Sequence, residues 1–451
     1  NDGDSAAVFA KIRRAWHLTC LKTLRPAPGA DAVALASRAG AHMWTAVLDR
    51  MLTRLVRVGR LTLVGPPGHP ARSFGDGGAP EVTVELHTAA AARRLALHPE
   101  LALGEAYMAG DLTVAGDDLS SLFELVIRNK DAGGTSGAMR LHDLIAMVGR
   151  RLAQHNPLPR ARANVAHHYD LSGALYDLFL DSDRQYSCAY FARPEMSLEE
   201  AQEAKKHHIA GKLQLSPGQS VLDIGCGWGG MALTLARDYG VRVVGVTLSK
   251  EQHGVATRRA AEAGLDDRVE FRLQDYRKVR ERFDRVVSVG MFEHVGLPHY
   301  REYFDTVRAR LTQGGVALIH TIGRTEPPGY TSPWIQKYIF PGGYIPALSE
   351  VMPAIERSGL WSCDIEVWRL HYAETLRHWR ARFLANIDAA RALYDDRFCR
   401  MWLYYLTAAE QSFRHQRHCV FQLQLATERD AVPLTRDYLY PAQDPARLAA
   451  E

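Results

Sequence analysis

From about residue 205 onward the chain alternates short apolar runs with helical stretches, and this alternation limits the fold more than any other feature. The runs Ser220–Ile224, Arg242–Thr247, Val269–Leu273, Arg285–Val289 and Val316–Thr321 read as strands. Helices are expected to begin near Gly229, Lys250, Phe283 and Tyr300. Strand, helix, strand at this spacing requires right-handed parallel crossovers, and so a doubly wound, Rossmann-like α/β sheet. The runs Trp361–Leu370 and Val420–Leu425 are expected to close that sheet. The aromatic stretch Glu374–Phe413 between them is expected to form a helical cover.

In an open sheet of this kind a ligand sits at the carboxyl ends of the strands, and here that place is marked by the turn VLDIGCGWGGMAL. Gly225, Gly227 and Gly229 permit a tight turn and close approach of backbone to a ligand. Gly225, Gly227 and Gly230 also spell GxGxxG, so the turn alone suits S-adenosylmethionine (SAM), a dinucleotide or a purely structural role. Two details favour SAM. Asp223 stands at the strand end, where an acid commonly meets the cationic amino-acid end of that ligand. The second strand ends at Thr247 and Leu248, without the carboxylate that an NAD ribose wants about 20 residues on. Gln252, Gln274, Asp275 and Tyr276 are the candidates for ribose and adenine contacts.

Residues 1–130 read as a separate small α+β unit, 131–160 as a linker and 161–451 as the catalytic unit. In the first unit Ala41–Val58 is an amphipathic helix, with Trp44, Val47, Leu48, Met51, Leu55 and Val58 on one face and Arg50, Arg54 and Arg57 on another. It reads either as a docking helix or as one lying on an anionic membrane. Strands Arg60–Val64 and Glu81–His87 flank a Gly/Pro-rich turn, and helices follow at Ala89–His98 and Leu119–Ile127. Of the chain's net charge of +4, all lies in residues 1–160, which hold 19 basic and 15 acidic side chains; the remainder holds 36 of each. Such asymmetry favours an anionic partner, either nucleic acid or phospholipid.

Composition excludes several classes. With 47% hydrophobic and 24% charged residues the chain can bury a core, which rules out a disordered protein. No 18-residue apolar run suggests a spanning helix. The first residues lack the plan of a signal peptide, and the missing Met suggests trimming, so a soluble cytoplasmic protein is expected. Six scattered cysteines without a CxxC pair argue against a disulfide framework or a zinc site. The pairs His167–His168 and His207–His208 lack standard ligand spacing and read as surface or hydrogen-bonded histidines, with no metal expected.

Taken in order, NVAHHYDLSGALYDLFLD, YSCAYF, LDIGCGWGG, GVTLSKEQ, LQDYR, SVGMFEHVG, IHTIG and WIQKYIFPGGYIP resemble the cyclopropane-fatty-acyl-phospholipid synthases. Mycolic-acid cyclopropane synthases are more distant relatives. The resemblance covers roughly residues 160–425, with an echo in GEAYMAGDL. It implies transfer of the SAM methyl to a cis double bond of an unsaturated phospholipid acyl chain in a bilayer, then deprotonation and ring closure. The same alkene methylation can instead end in a methylene- or methyl-branched chain. Such chemistry needs a dry site that stabilises a carbocation and removes a proton. Glu293 and His294 follow the fourth strand and His320 ends the fifth, in positions that face the ligand crevice.

The resemblance further implies a bicarbonate base held by the Cys188 and Ile322 backbones, Glu293, His320 and Tyr372. Tyr372 follows VWRLH, which departs from the pattern of the phospholipid enzymes. Tyr186 and Ser187 are implied at the methionine end of SAM, with Gly225 and Gly227 beneath it. Cys188 is also readable as a small buried hydrophobe. Trp402, Tyr404 and Tyr405 suit either a core or an acyl-chain wall, and Glu326–Pro346 a lid over the tunnel. The implied setting is peripheral association with the inner face of the membrane, as a homodimer, with no nucleic acid bound.

Overall fold

The computed structural model describes residues 30–66, 69–133, 154 and 173–440. Helix α1 (Ala30–Leu55) begins before the expected Ala41 and stops short of Val58. Its buried stripe is Thr45, Leu48 and Leu52, continued by Val56, whereas Val47 and Val58 are 42% and 38% exposed. The stripe is turned from the expected face because the helix packs against α2 (Ala89–Leu97), which dictates which side is covered.

Strands β1 (Arg60–Val64), β2 (Arg72–Gly75), β3 (Glu81–Leu86) and β4 (Leu112–Val114) form a sheet in the order β2-β1-β3-β4. β2 lies inside the stretch expected to be a turn; it is held by the Arg72–Asp49 ion pair and by Ser73 against Thr62 at 3.2 Å. Helices α2, α3 (Pro99–Ala109) and α4 (Leu119–Asp131) complete this part. Thr88 and Asp118 cap α2 and α4 by accepting backbone N–H groups, as such residues do at helix starts.

After α5 (Gly173–Asp177) and α6 (Leu198–Leu213) comes the expected alternation: β5 (Ser220–Ile224), α7 (Gly230–Tyr239), β6 (Arg242–Thr247), α8 (Lys250–Glu262), β7 (Val269–Leu273), β8 (Phe283–Val289), α9 (Tyr300–Arg310) and β9 (Leu311–Arg324). One expectation fails. Phe283 does not start a helix; it opens β8, buried and paired with Leu311. The connection from β7 carries only the short turn Tyr276–Lys278, because RKVRER has no apolar stripe with which a helix could cover the sheet.

Then follow α10 (Pro333–Tyr338), α11 (Leu348–Ser358), β10 (Trp361–Trp368), α12 (His371–Ala385), α13 (Ile387–Leu393), α14 (Asp396–His415) and β11 (His418–Ala426). The seven-stranded sheet runs β10-β11-β9-β8-β5-β6-β7, and β11 alone is antiparallel to its neighbours. The chain leaves β5 toward β6 and β7, then returns to β8 on the other side of β5. The crevice at this reversal of strand order is the expected ligand position. α12 and α14 form the helical cover, and α14 also packs on α3 and α4, so one apolar core runs from Leu48 to Val420.

Candidate functional site

A cavity opens at the carboxyl ends of β5, β6 and β8, with about 1270 Å³ of free space including its mouth. Asp223, Gly225, Gly227, Thr247, Leu248, Gln252, Gln274, Asp275, Tyr276, Tyr186 and Ser187, expected from the sequence, all line it. Gly229 does not. With φ +86° it starts α7 and faces Phe271 and Ala256, so its glycine identity serves the helix turn and close packing. Gly225 also has positive φ, and a Cβ there would stand 2.9 Å from the Met291 side chain.

The two ends of the cavity differ. At one, Thr247 donates to Gln252 at 3.0 Å, while Asp275 is gripped by the Arg277 guanidinium through two 2.9 Å bonds. At the other, Asp223 is buried and its Oδ2 has no hydrogen-bond partner among the described residues. Burial pushes the Asp223 carboxyl up to about 7, against the pull of Lys205. A carboxylate in this state gains most from a cationic ligand.

The residues implied for bicarbonate, Cys188, Glu293, His320, Ile322 and Tyr372, lie outside the cavity wall. Three of them, Glu293, His320 and Ile322, lie together behind it at the ends of β8 and β9. Val289 pairs with His320 across β8 and β9, and Met291 and His294, on either side of Glu293, line the cavity. Glu293 Oε1 accepts the Ile322 N–H at 2.6 Å, and Oε2 is buried with no partner among the described residues. Burial raises the Glu293 carboxyl to about 7. His320 is buried against Trp368, its Nδ1 3.1 Å from Gln422 Nε2. Burial, then the Lys205 and Lys212 charges, hold it well below the ordinary histidine range, hence neutral. Burial lowers His294 likewise, to about 4.

Cys188 is fully buried and burial pushes its thiol up, so it is no thiolate nucleophile. Tyr372 packs on Trp379 and Phe413. Trp379 in turn stacks on Tyr186, whose hydroxyl lies 3.1 Å from that of Tyr405. Of the aromatic trio on α14, Trp402 and Tyr404 belong to the core, Tyr404 against Tyr107, Phe123 and Trp334. Tyr405 meets Phe340 from the expected lid, and Phe340 also meets His294.

His167 and His168 fall outside the described residues. His207 is exposed and bonded to Tyr239 and Glu203, and with Glu203 and Asp238 it brings three potential ligand atoms within 4.8 Å. His208 is buried on Glu366 at 2.7 Å.

Sequence reasoning missed Lys205 and Gln422. Lys205, in the middle of α6, donates to Gln185 Oε1 at 2.5 Å and to Ser187 Oγ at 2.9 Å. The signal was present as Lys205, His208 and Lys212 on one side of a helix that otherwise reads as solvated.

A family model described as mycolic acid cyclopropane synthetase matches residues 157–423. The chain belongs to that family. It is a SAM-dependent methyltransferase, of the fold seen in the solved members. A second model, a domain of unknown function (DUF7884), matches residues 68–136. The chain is 42% identical over 324 residues to the cyclopropane-fatty-acyl-phospholipid synthase of Escherichia coli K12, covering 71% of this chain and 82% of that one. It is 35% identical over 396 residues to the tuberculostearic acid methyltransferase of Mycobacterium tuberculosis, covering 85% and 91%. Among solved structures, the mycolic acid cyclopropane synthase CmaA1 complexed with SAH and CTAB is 36% identical with a TM-score of 0.56, covering 59% of this chain and 98% of that one.

Proposed function

We propose that the protein transfers the SAM methyl to a cis double bond of an unsaturated phospholipid acyl chain and then closes a cyclopropane ring. The observation that carries this reading is Glu293: a buried carboxylate with an unpartnered oxygen, between Met291 and His294, which line the SAM cavity. The name of the E. coli relative supports the substrate class.

When bound, SAM supplies an electrophilic methyl on a sulfonium. Asp223 would hold the ammonium of that ligand, with Tyr186, Ser187, Gly225 and Gly227 lining the same cavity. Methylating an alkene leaves positive charge on the adjacent carbon. Tyr186, Trp379, Tyr405 and Phe340 exclude water that would capture it, and their ring faces attract cations. Glu293, once ionised, adds a negative charge in a low-dielectric setting.

The donor set also fits an oxyanion base. Cys188 and Ile322 offer backbone N–H groups, neutral His320 an imidazole, Tyr372 a hydroxyl, and Glu293 Oε2 an unsatisfied acceptor. The Ile322 N–H already serves Glu293, so an ion there would share it. Bicarbonate in this place would supply the base for the proton leaving the new methyl.

Residues 1–130 carry the membrane-associating role in this reading. α1 turns Met43, Val47, Arg50 and Arg54 outward, an apolar and basic mixture suited to an anionic lipid surface. No described helix is long and apolar enough to cross a membrane. Peripheral association with the inner membrane face and a homodimer complete the reading, by family analogy.

A second reading keeps the methylation and ends in a branched chain; the tuberculostearic acid methyltransferase relative, which spans more of this chain, favours it. Both are tested by methyl transfer from labelled SAM to anionic vesicles of cis-monounsaturated or saturated phospholipid. Label in the unsaturated lipid alone is expected, with vesicle binding that weakens as salt shortens screening to about 10 Å at 0.1 M. Equal labelling of saturated lipid would contradict both readings.

A further inference from the structure

We propose that Lys205 is a positioning residue that reads the carboxylate of the methyl donor through the Ser187 hydroxyl. The proposal rests on the SAM reading of the cavity and adds to it a residue that does not line the wall.

A fully buried lysine is costly unless its charge is used. Lys205 Nζ has three N–H donors, of which Gln185 Oε1 and Ser187 Oγ take two. Among the described residues no carboxylate forms an ion pair with it. Asp181 accepts the Asp183 and Gln185 backbone N–H groups at 3.0 Å each, and Asp183 is engaged by Lys206 and Arg259. The Lys205 charge is felt by Asp181, Cys188 and His320 within the core and, of the residues that line the cavity, by Asp223.

The consequence falls on Ser187. Its oxygen accepts from an ammonium, so its own hydrogen is left to donate elsewhere, and Ser187 lines the cavity. A hydroxyl polarised in this way is a strengthened donor toward an anion. Of the two arginines that line the cavity, Arg184 is held by both Asp177 oxygens at 2.6 and 2.7 Å and Arg277 by Asp275. The cavity wall therefore carries both a cation-backed hydroxyl, Ser187, and an unpartnered carboxylate, Asp223, which feels the same Lys205 charge. That pair matches an α-amino acid zwitterion: carboxylate to Ser187, backed by Lys205, and ammonium to Asp223. The end of the cavity where Asp275 is already neutralised by Arg277 has no such pair. Burial draws Lys205 down to about 8, which leaves it mostly cationic at neutral pH.

The test compares two ligands by calorimetry: SAM and its decarboxylated analogue, which keeps the sulfonium, adenosine and amine. The full chain, Lys205→Met and Ser187→Ala are titrated with each. The full chain should prefer SAM by about tenfold or more, the scale of one hydrogen bond to a charged group. Lys205→Met should lose most of that preference while binding the analogue within a few-fold of the parent, and Ser187→Ala should lose it in the same direction. Equal weakening for both ligands would show that Lys205 only supports the loop and would overturn the proposal, as would unchanged SAM affinity. Should Lys205→Met fail to fold, Ser187→Ala decides by the same comparison. If the parent chain binds neither ligand, the SAM reading itself falls first.

Discussion

Glu293 accepts the backbone N–H of Ile322 at 2.6 Å, which ties the turn after β8 to the end of β9 two residues beyond His320. One carboxylate oxygen thus has a structural task, and the other is buried without a hydrogen-bond partner among the described residues. Replacing Glu293 by Gln keeps a hydrogen-bonding group at Ile322 and removes the charge. Turnover is expected to fall by roughly 10²–10³, the scale for one preorganised polar group, with SAM affinity nearly unchanged. Because burial sets this carboxyl to about 7, parent turnover should rise as pH passes 7, and Glu293→Gln should lack that limb. Steady-state pH profiles of both proteins check this; near-parent activity in the variant would refute the assignment.

Asp223 makes a thermodynamic prediction. Its folded value, about 7, lies above the ordinary 3.8, so its contribution to stability is present at low pH and is lost as pH rises through 7. A cation beside Asp223 reverses that loss by favouring the ionised form. SAM binding near pH 6.5 should therefore release protons, seen as a binding heat that depends on the buffer's ionisation enthalpy. The dependence should vanish in Asp223→Asn.

Packing between the two parts of the molecule is tight at Gly104. A Cβ there would stand 2.3 Å from the Trp334 indole nitrogen, so Gly104→Ala must push α3 away from α10. Overpacking of this kind costs about 1–3 kcal/mol, which thermal unfolding would register as a lowered midpoint. A variant as stable as the parent would show that the contact yields freely.

Cys188 should be dispensable as a thiol. Burial raises it, and its Sγ reaches only uncharged partners, the Ala189 carbonyl at 3.4 Å and the Thr375 hydroxyl. Cys188→Ala should keep turnover within a few-fold of the parent, at a stability cost of about 1 kcal/mol from the small cavity. A loss comparable with that of Glu293→Gln would require sulfur chemistry.

The centre of the sheet was legible because β5, β6 and β8 are short, mostly buried apolar runs, and the polar residues at the carboxyl ends of β5, β6 and β7, from Asp223 to Tyr276, were found from that order. What failed, failed for tertiary reasons. Phe283 follows a charged run whose lack of an apolar stripe was the clue to a helix-free crossing. The buried stripe of α1 was set by α2, which no local pattern identifies. Lys205 and Lys212 sit in a helix rich in Glu, Lys and His, yet both are fully buried, because their partners Gln185, Ser187 and Glu366 are distant in sequence. Gln422 meets His320 only through the β9–β11 register. The chemistry of Glu293 and His320 was legible chiefly through motif resemblance, since an acid after one strand and an imidazole at the end of another are common in isolation.

The most direct measurement is proton NMR of phospholipid recovered after incubating the purified protein with SAM and vesicles of cis-monounsaturated phospholipid. The account predicts acyl chains one CH2 heavier, with the olefinic protons gone and high-field cyclopropane protons in their place. Unchanged lipid, or chains of the same added mass carrying a methyl or methylene branch and no ring, would contradict it.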